Sequence, residues 1–295
     1  VLAGGSFNNT QGAYSVCVGG SGNLVYGNYS AALGGYSNTI NPQLCFVAGA
    51  SNNLASNVTG ESLCFGFNNN VASAFNTVTI GKSHSNSGNY GTILGGQSNN
   101  CNASYGTVTG GRNNRAWGQD SIALGGNTNH ALYDGSIAMG KNAFAIADYT
   151  RAYSANQFAA QGDAQLVEAI LQRSTTAAVA TELSIGGAAP TANTAFSVST
   201  DTSYSFDILI TARRTDVNVE SAAWEIKGLI SNDAGTTSFI GTPTTTLIAA
   251  AAGAASWTVT PIADNTNDRL AIFVLGENLK TIYWVAHVRA VKVTG

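Results

Sequence analysis

Acidic residues are almost missing from the first part of this sequence: Glu61 is the single Asp or Glu among residues 1–119. A glycosidase cleft needs two carboxyl groups about 5–9.5 Å apart across the scissile bond, so no such cleft is expected on that part of the chain. Charge is sparse throughout, with 13 Lys and Arg against 16 Asp and Glu and a net charge of -3. Nucleic-acid binding needs clustered basic side chains on its phosphates, and no nucleic-acid partner is expected. No run of 18 or more apolar residues occurs, so no membrane insertion is expected. His84, His130 and His287 stand far from one another and from the cysteines. Zinc-ligand spacing is therefore absent, and neither a metal nor another cofactor is expected. Gly-x-Ser-x-Gly between a strand and a helix, and a Walker lysine, are absent too.

What is abundant is glycine, and it is periodic. Residues 1–141 hold 25 of the 34 glycines. Ser121-Ile122-Ala123-Leu124-Gly125-Gly126 returns as Ser30-Ala31-Ala32-Leu33-Gly34-Gly35 and, edited, as Ser136-Ile137-Ala138-Met139-Gly140-Lys141. Marker glycines fall at 4, 19, 34, 49, 66, 81, 95, 110, 125 and 140, with seven spacings of 15, one of 17 and one of 14. A short fixed period describes a supersecondary unit that becomes stable only by stacking on its neighbours, a solenoid. Val1 already stands in register with a repeat, so the sequence reads as a fragment.

A trio of small or apolar residues precedes each marker, for example Val16-Cys17-Val18, Phe46-Val47-Ala48 and Leu63-Cys64-Phe65. Strand side chains alternate between faces. The outer two of each trio are expected to fill the roll. The middle column, Leu2, Cys17, Ala32, Val47, Cys64, Thr79, Ile93, Val108, Ala123 and Ala138, would then form a second apolar face that needs a partner, and symmetry mates about an axis parallel to the roll are the simplest one. Cys17 and Cys64 lie three rungs apart, about 14 Å at the spacing of stacked strands, too far for a disulfide. All four cysteines are expected as free, buried thiols.

Asn residues follow the markers at 8–9, 23, 38, 52–53, 68–69, 99–100, 113–114 and 142, as expected of tight turns with positive φ. Gly12, Gly27, Gly88 and Gly118 suggest a further corner. Pro42 and the stretch Ser51 to Gly60, where the spacing reaches 17, read as an excursion from the roll. Asp120, Asp134 and Asp148 could form a carboxylate ladder, with solvent or a bound cation a better explanation than catalysis.

The Ser-Ile-Ala-Leu-Gly and Ser-Ile-Ala-Met-Gly phrases, in about ten copies over residues 1–145, resemble the head repeats of YadA-like trimeric autotransporter adhesins. The resemblance implies a parallel β-roll assembled as a homotrimer.

Beyond residue 146 the pattern changes. Residues 146–162 read as a connector, and 163–295 as a separate domain carrying 12 acidic and 8 basic residues. Tyr204, Phe206, Ile208, Ile210 and Ala212 alternate with polar residues, as do Trp224, Ile226, Gly228 and Ile230. Further strands are expected at 180–186, 193–199, 236–241, 244–250, 255–262, 269–275 and 279–293. Many short strands with turn signals predict an antiparallel, jelly-roll-like β-sandwich. The stretches Ala212-Arg213-Arg214-Thr215-Asp216, Glu220 to Trp224, and Trp284 to Val288 resemble C-terminal domains of phage and viral tail-fibre proteins.

The expected architecture is therefore all-β: a solenoid of about ten 15-residue repeats followed by a β-sandwich, forming a homotrimer. The expected role is host attachment from the virion surface, with no enzymatic activity and no catalytic residues, through a cell-surface glycan or protein receptor. A polysaccharide-degrading spike enzyme and a bacterial adhesin head are the alternatives, and an ice-binding solenoid is disfavoured by its sporadic threonines. Binding is expected at the C-terminal domain. Trp224, Trp257, Tyr283 and Trp284 are its receptor-binding candidates, although large aromatics of this kind more often fill a core.

Overall fold

The computed structural model describes residues 1–41, 43–56, 61–72, 75–216 and 220–295, the side chains of residues 50 and 56 excepted. The described residues are almost wholly strand and turn, with one 3-10 turn at Ala252–Ala254. Among them no helix is long and apolar enough to cross a membrane. The chain divides into two compact units, Val1–Phe144 and Ala145–Gly295.

The first unit is a parallel β-solenoid of about ten turns. One wall holds ten strands from Leu2–Ala3 to Ile137–Lys141, and the facing wall nine from Asn9–Thr10 to His130–Ala131. Each strand pairs in parallel with the equivalent strand one repeat away. The register runs Leu2, Cys17, Ala32, Val47, Cys64, Thr79, Ile93, Val108, Ala123, Ala138. This is the column that the repeat spacing predicts.

Its direction is the reverse of the expectation. From Cys17 onward, the middle residue of each trio points into the roll and is buried, Ala123 and Ala138 at 0% exposure, facing Val25, Ile40, Ala55, Val71, Cys101, Ala116 and Ala131 on the opposite wall. The interior is narrow and takes Ala, Cys, Val and an occasional Ile. The larger outer residues do not fit: Val18, Leu33, Ile80, Leu94 and Leu124 lie exposed on the outside. The unpartnered apolar stripe therefore consists of the outer residues.

All four cysteines are free and buried, and burial pushes the thiols of Cys45 and Cys101 up to about 11 and that of Cys64 to about 12. They pack as small hydrophobes and carry negligible thiolate near neutral pH. One rung interrupts the apolar interior, where the Asn86 side-chain amide donates to Thr79 Oγ1 at 3.0 Å.

The asparagines divide into two sets. Asn52, Asn68, Asn113 and Asn142 have positive φ and occupy the turns predicted for them. Asn23, Asn38, Asn53, Asn69, Asn99, Asn114 and Asn129 are instead fully buried. Each uses its Oδ1 to accept the backbone N–H of the next rung, as from Asn114 to Asn99 at 3.0 Å and from Asn129 to Asn114 at 2.9 Å. The amide groups donate to glycine carbonyls, as Asn114 Nδ2 does to Gly110 at 2.8 Å. This hydrogen-bonded ladder satisfies polar backbone at a corner that water does not reach. Close packing sets the glycines: a Cβ on Gly88 would lie 1.9 Å from the Ala103 carbonyl oxygen.

His84 replaces asparagine in one rung of the ladder. Its backbone N–H donates to Asn69 Oδ1, and its Nδ1 accepts from the Asn99 N–H at 3.1 Å. The acceptor role requires a neutral ring, and burial lowers the pKa below the usual 6.5. His130 is lowered to about 4, by burial first and by the Arg115 charge second. The unfolded chain then binds more protons than the folded one below pH 6.5. The contribution of these neutral rings is complete above that value and is lost as pH falls toward 4. His84→Asn restores the repeat's own residue. Thermal melts are expected to show a smaller loss of melting temperature between pH 7 and 5 than in the parent, with no loss at pH 7.

Part of the predicted excursion, residues 57–60 with Pro42, lies outside the described residues. On its near side, Leu54–Ser56 is an ordinary rung of the second wall.

The second unit is antiparallel. Its larger sheet runs in the order Arg151–Ser154, Ala164–Thr175, Ile282–Thr294, Thr202–Arg214, Ser221–Asp233, Thr244–Ala250, and Thr236–Phe239 folds back on Ser221–Asp233. A smaller sheet joins Thr181–Glu182, Arg269–Leu275 and Thr258–Asp264. The predicted inward residues Tyr204, Phe206, Ile208, Ile210 and Ala212 are buried in one core with Trp224, Ile226 and Ile230. The strand expected at 193–199 is not formed; a single bridge from Ser197 to Arg269 stands in its place.

Candidate functional site

The aromatic residues expected to bind a receptor separate sharply. Trp224, Trp257 and Trp284 are at most 4% exposed. Their rings pack on one another, Trp224 against Trp284 at 5.7 Å and Trp257 against Trp284 at 5.8 Å, and Trp284 Nε1 donates to Thr175 Oγ1 at 2.9 Å. These three indoles are core, Trp224 and Trp284 through the alternation that buries every second residue of their strands and Trp257 just ahead of the strand Thr258–Asp264, and they present no ring face to a ligand. Tyr283, one residue out of phase, is 56% exposed. It borders a shallow concavity of about 370 Å³ with Gln172, Arg173, Ser174 and Gly187.

A second concavity on the same unit, lined by Tyr149, Arg151, Glu168 and His287, has a charge cluster that spacing in sequence did not reveal. Arg151 pairs with Glu168, and His287 Nε2 lies 3.9 Å from Glu168 Oε1. Cross-strand register brings them together, since Arg151 and Arg289 both stand opposite Glu168 and His287 stands opposite Ile170.

The larger concavity, about 480 Å³, lies on the solenoid. It is built by register. Cys45, Ser62 and Thr77 are aligned, so the residues before them, Leu44, Glu61 and Asn76, form one column of its lining. The residues after them, Phe46, Leu63 and Val78, form the next. Tyr29 and Ala31 close one end. The Glu61 backbone N–H donates to Asn76 Oδ1 at 2.8 Å, and the Glu61 carboxylate is exposed to the groove. The acid that stood alone in the sequence thus sits in a groove on the solenoid. It is bordered by two aromatic rings, aliphatic side chains and an amide. Such a mixture is suited to a ligand with both apolar ring faces and hydroxyl groups.

Of the carboxylates suggested as a ladder at Asp120, Asp134 and Asp148, the first two bond within the solenoid. Asp134 Oδ1 accepts the Gln119 backbone N–H at 2.8 Å, and Asp120 Oδ2 accepts from Gln119 Nε2 at 3.3 Å. Among the described residues no group of three or more His, Cys, Asp or Glu stands close enough to hold a metal ion.

No protein-family model and no curated protein matches this chain. Among solved structures, it is similar to a tailspike protein of Acinetobacter baumannii bacteriophage Fri1, a capsular polysaccharide depolymerase, at 9% identity and a TM-score of 0.27. That match covers 98% of this chain and 55% of the tailspike, so the chain spans about half the length of that protein. It is also similar to the tailspike of Acinetobacter baumannii phage AM24, at 10% identity and a TM-score of 0.28 over 96% of this chain and 68% of that one. Against the expectation of no enzymatic activity, the first of these neighbours is a depolymerase.

Proposed function

We propose that this chain is part of a virion tailspike and engages polysaccharide at a bacterial surface through the groove on its solenoid. The virion setting is the one implied by the tail-fibre resemblance of the C-terminal sequence. The observation that carries the ligand is the groove itself, where Tyr29 and Phe46, the carboxylate of Glu61 and the amide of Asn76 line one concavity of about 480 Å³. The solenoid gives these side chains a hydrogen-bonded, rigid support. A flexible glycan then loses less of its binding energy to ordering the site.

In finer detail, we propose that the antiparallel unit is a two-sheet sandwich and that the protein is a homotrimer. The outward stripe of Val18, Leu33, Ile80, Leu94 and Leu124 is the surface that copies of the chain would cover on one another. A trimer would present three grooves, so individually weak sites would combine through avidity.

The groove reading is tested with a panel of purified, uncharged bacterial capsular polysaccharides. The full chain is expected to be retained by at least one of them. Phe46→Ala, which removes an aromatic wall without touching the interior, is expected to weaken retention roughly tenfold, about 1.4 kcal/mol. Unchanged retention would move the site elsewhere. Glu61 also favours a second reading, since a carboxylate in a glycan groove can act as an acid or base in glycoside hydrolysis. Reducing ends released by the parent and lost in Glu61→Gln would support that chemistry. Release unaffected by the substitution would refute it.

A further inference from the structure

We propose that the turn column continuing the groove in both directions is a track that holds an extended, uncharged polysaccharide along the solenoid, about one sugar per rung. The proposal rests on the polysaccharide reading of the groove and extends it beyond the concavity.

The column consists of Tyr14, Tyr29, Leu44, Glu61, Asn76, Tyr90 and Tyr105, the residues that precede the aligned positions of successive rungs. Every tyrosine in it has left-handed backbone, with φ between 56° and 59°. A bulky aromatic residue is an outlier there, where Gly and Asn are favoured. The other turn of the same repeat uses Gly22, Asn52, Asn68, Asn113 and Asn142 in half of its rungs, with Ser or Thr in four of the others and one aromatic, Phe7. Four of the seven positions are nevertheless tyrosine, in a column where Asn76 shows that the turn itself does not need an aromatic ring. Backbone held in a disfavoured region points to a use for the side chain.

The rings stack along the solenoid, Tyr14 on Tyr29 at 5.1 Å and 11°, and Tyr90 on Tyr105 at 4.9 Å and 2°. Their faces are turned to one another, so edges and phenol hydroxyls form the outer surface. The four are 44% to 82% exposed. Hydroxyls thus recur at the rung spacing, which is close to the advance of one sugar in an extended β-linked chain. Between the two stacked pairs lie Leu44, Glu61 and Asn76, the wall of the groove. Seven rungs give six steps, a track of about 29 Å. Between Tyr14 and Tyr105 the one charged side chain is Glu61, a second acid, Asp120, stands at the next rung, and no Lys or Arg belongs to the column. An anionic glycan would find no counter-charge there, which selects an uncharged one.

The test uses the full chain with Tyr14→Asn, Tyr90→Asn and the double substitution, neither residue lining the groove itself. The probes are size-graded oligosaccharides prepared from an uncharged linear capsular polysaccharide retained by the parent. Parent affinity is expected to rise with length up to about six sugars and then level off. The double substitution is expected to cost roughly tenfold or more for the long oligosaccharides, to leave the shortest bound ones unchanged, and to leave the melting temperature equal or higher because Asn relieves the turn. Parent affinity that does not depend on length, or a double variant that binds long chains as the parent does, would overturn the track while leaving the groove reading intact. A fall in melting temperature with equal weakening at every length would show the tyrosines to be structural and overturn it as well. A parent that binds none of the polysaccharides would remove the groove reading itself.

Discussion

An aspartate in place of Ala123 is expected to unfold the solenoid unit, and an aspartate in place of the next residue, Leu124, to leave it folded. Ala123 is completely buried between two strand walls that leave room for little more than a methyl group. A carboxylate there has no cationic partner, since the apolar residues grouped with it are Ile93, Cys101, Val108 and Ala116. Burial of this kind raises a carboxyl pKa by several units. At about 1.4 kcal/mol per unit, the penalty at neutral pH is roughly 4–7 kcal/mol, before the overpacking by the added carboxyl group is considered. That is comparable with the whole stability of an ordinary domain, about 5–15 kcal/mol. Leu124 is 42% exposed, and in an isolated chain such a surface change is worth within about 0.5 kcal/mol. In the proposed homotrimer it places three carboxylates in the covered stripe. Light scattering and circular dichroism on the two variants separate the effects. Ala123→Asp should lose the solenoid's share of the strand signal and keep that of the antiparallel unit. Leu124→Asp should keep both while falling to the mass of one chain. Equal melting of the two would contradict the face assignment, and a parent of monomeric mass would contradict the trimer.

The buried asparagine ladder gives the second large effect. Asn114→Asp keeps an oxygen for the Asn129 N–H but loses the amide that donates to Gly110 at 2.8 Å and to Gly126 at 3.3 Å. It also places negative charge against those carbonyls. Leaving buried groups unsatisfied costs about 1–3 kcal/mol each, so a loss of roughly 3 kcal/mol is expected, about 10 °C of melting temperature for a unit of this size. Asn127→Asp, in the outer turn, should change stability by less than about 0.5 kcal/mol, because its oxygen merely accepts from Thr128 Oγ1 at 3.0 Å and a carboxylate does so equally well. Differential scanning calorimetry of the pair checks the distinction, and equal shifts would mean that the ladder contributes nothing beyond the turn.

The sequence was most informative where a period fixed the geometry. The marker glycines establish the rung and, with it, the register from Leu2 through Ala123 to Ala138. They do not say which side of the strand faces inward, because both sides of the trios are apolar. Residue size held the answer, since Ala, Cys and Val recur in the middle while Phe46, Leu63, Phe65 and Leu124 stand outside. The ladder was hidden for a related reason: a buried Asn114 and a turn Asn113 are chemically identical neighbours, and only the path of the backbone separates them. In the second unit, Ala164–Thr175 escaped detection because Leu166 and Ile170 on its outer face mask the alternation of Val167, Ala169 and Leu171 inside. The tryptophans were visible as large aromatics, but the burial of Trp224 and Trp284 depends on strand phase.

The groove was the least legible feature. Its column crosses the one 17-residue spacing, so Leu44, Glu61 and Asn76 are not at equal intervals in the sequence and align only once the strands pair. Glu61 was conspicuous as an isolated acid, yet isolation argued against a site in which two carboxylates were sought. The tyrosine pairs were present at 15-residue spacing, but nothing in composition reveals that their backbone is left-handed.

The most direct measurement of the central claim is a crystal structure of the full chain soaked with an oligosaccharide of about six sugars from a polysaccharide that it retains. The account predicts sugar rings along the column from Tyr29 past Glu61 and Asn76 toward Tyr90, with apolar faces against Phe46 and hydroxyls within hydrogen-bond distance of Asn76 and the tyrosines. Sugar bound instead in the concavity beside Tyr283, with the solenoid groove empty, would contradict it and return the binding site to the C-terminal unit.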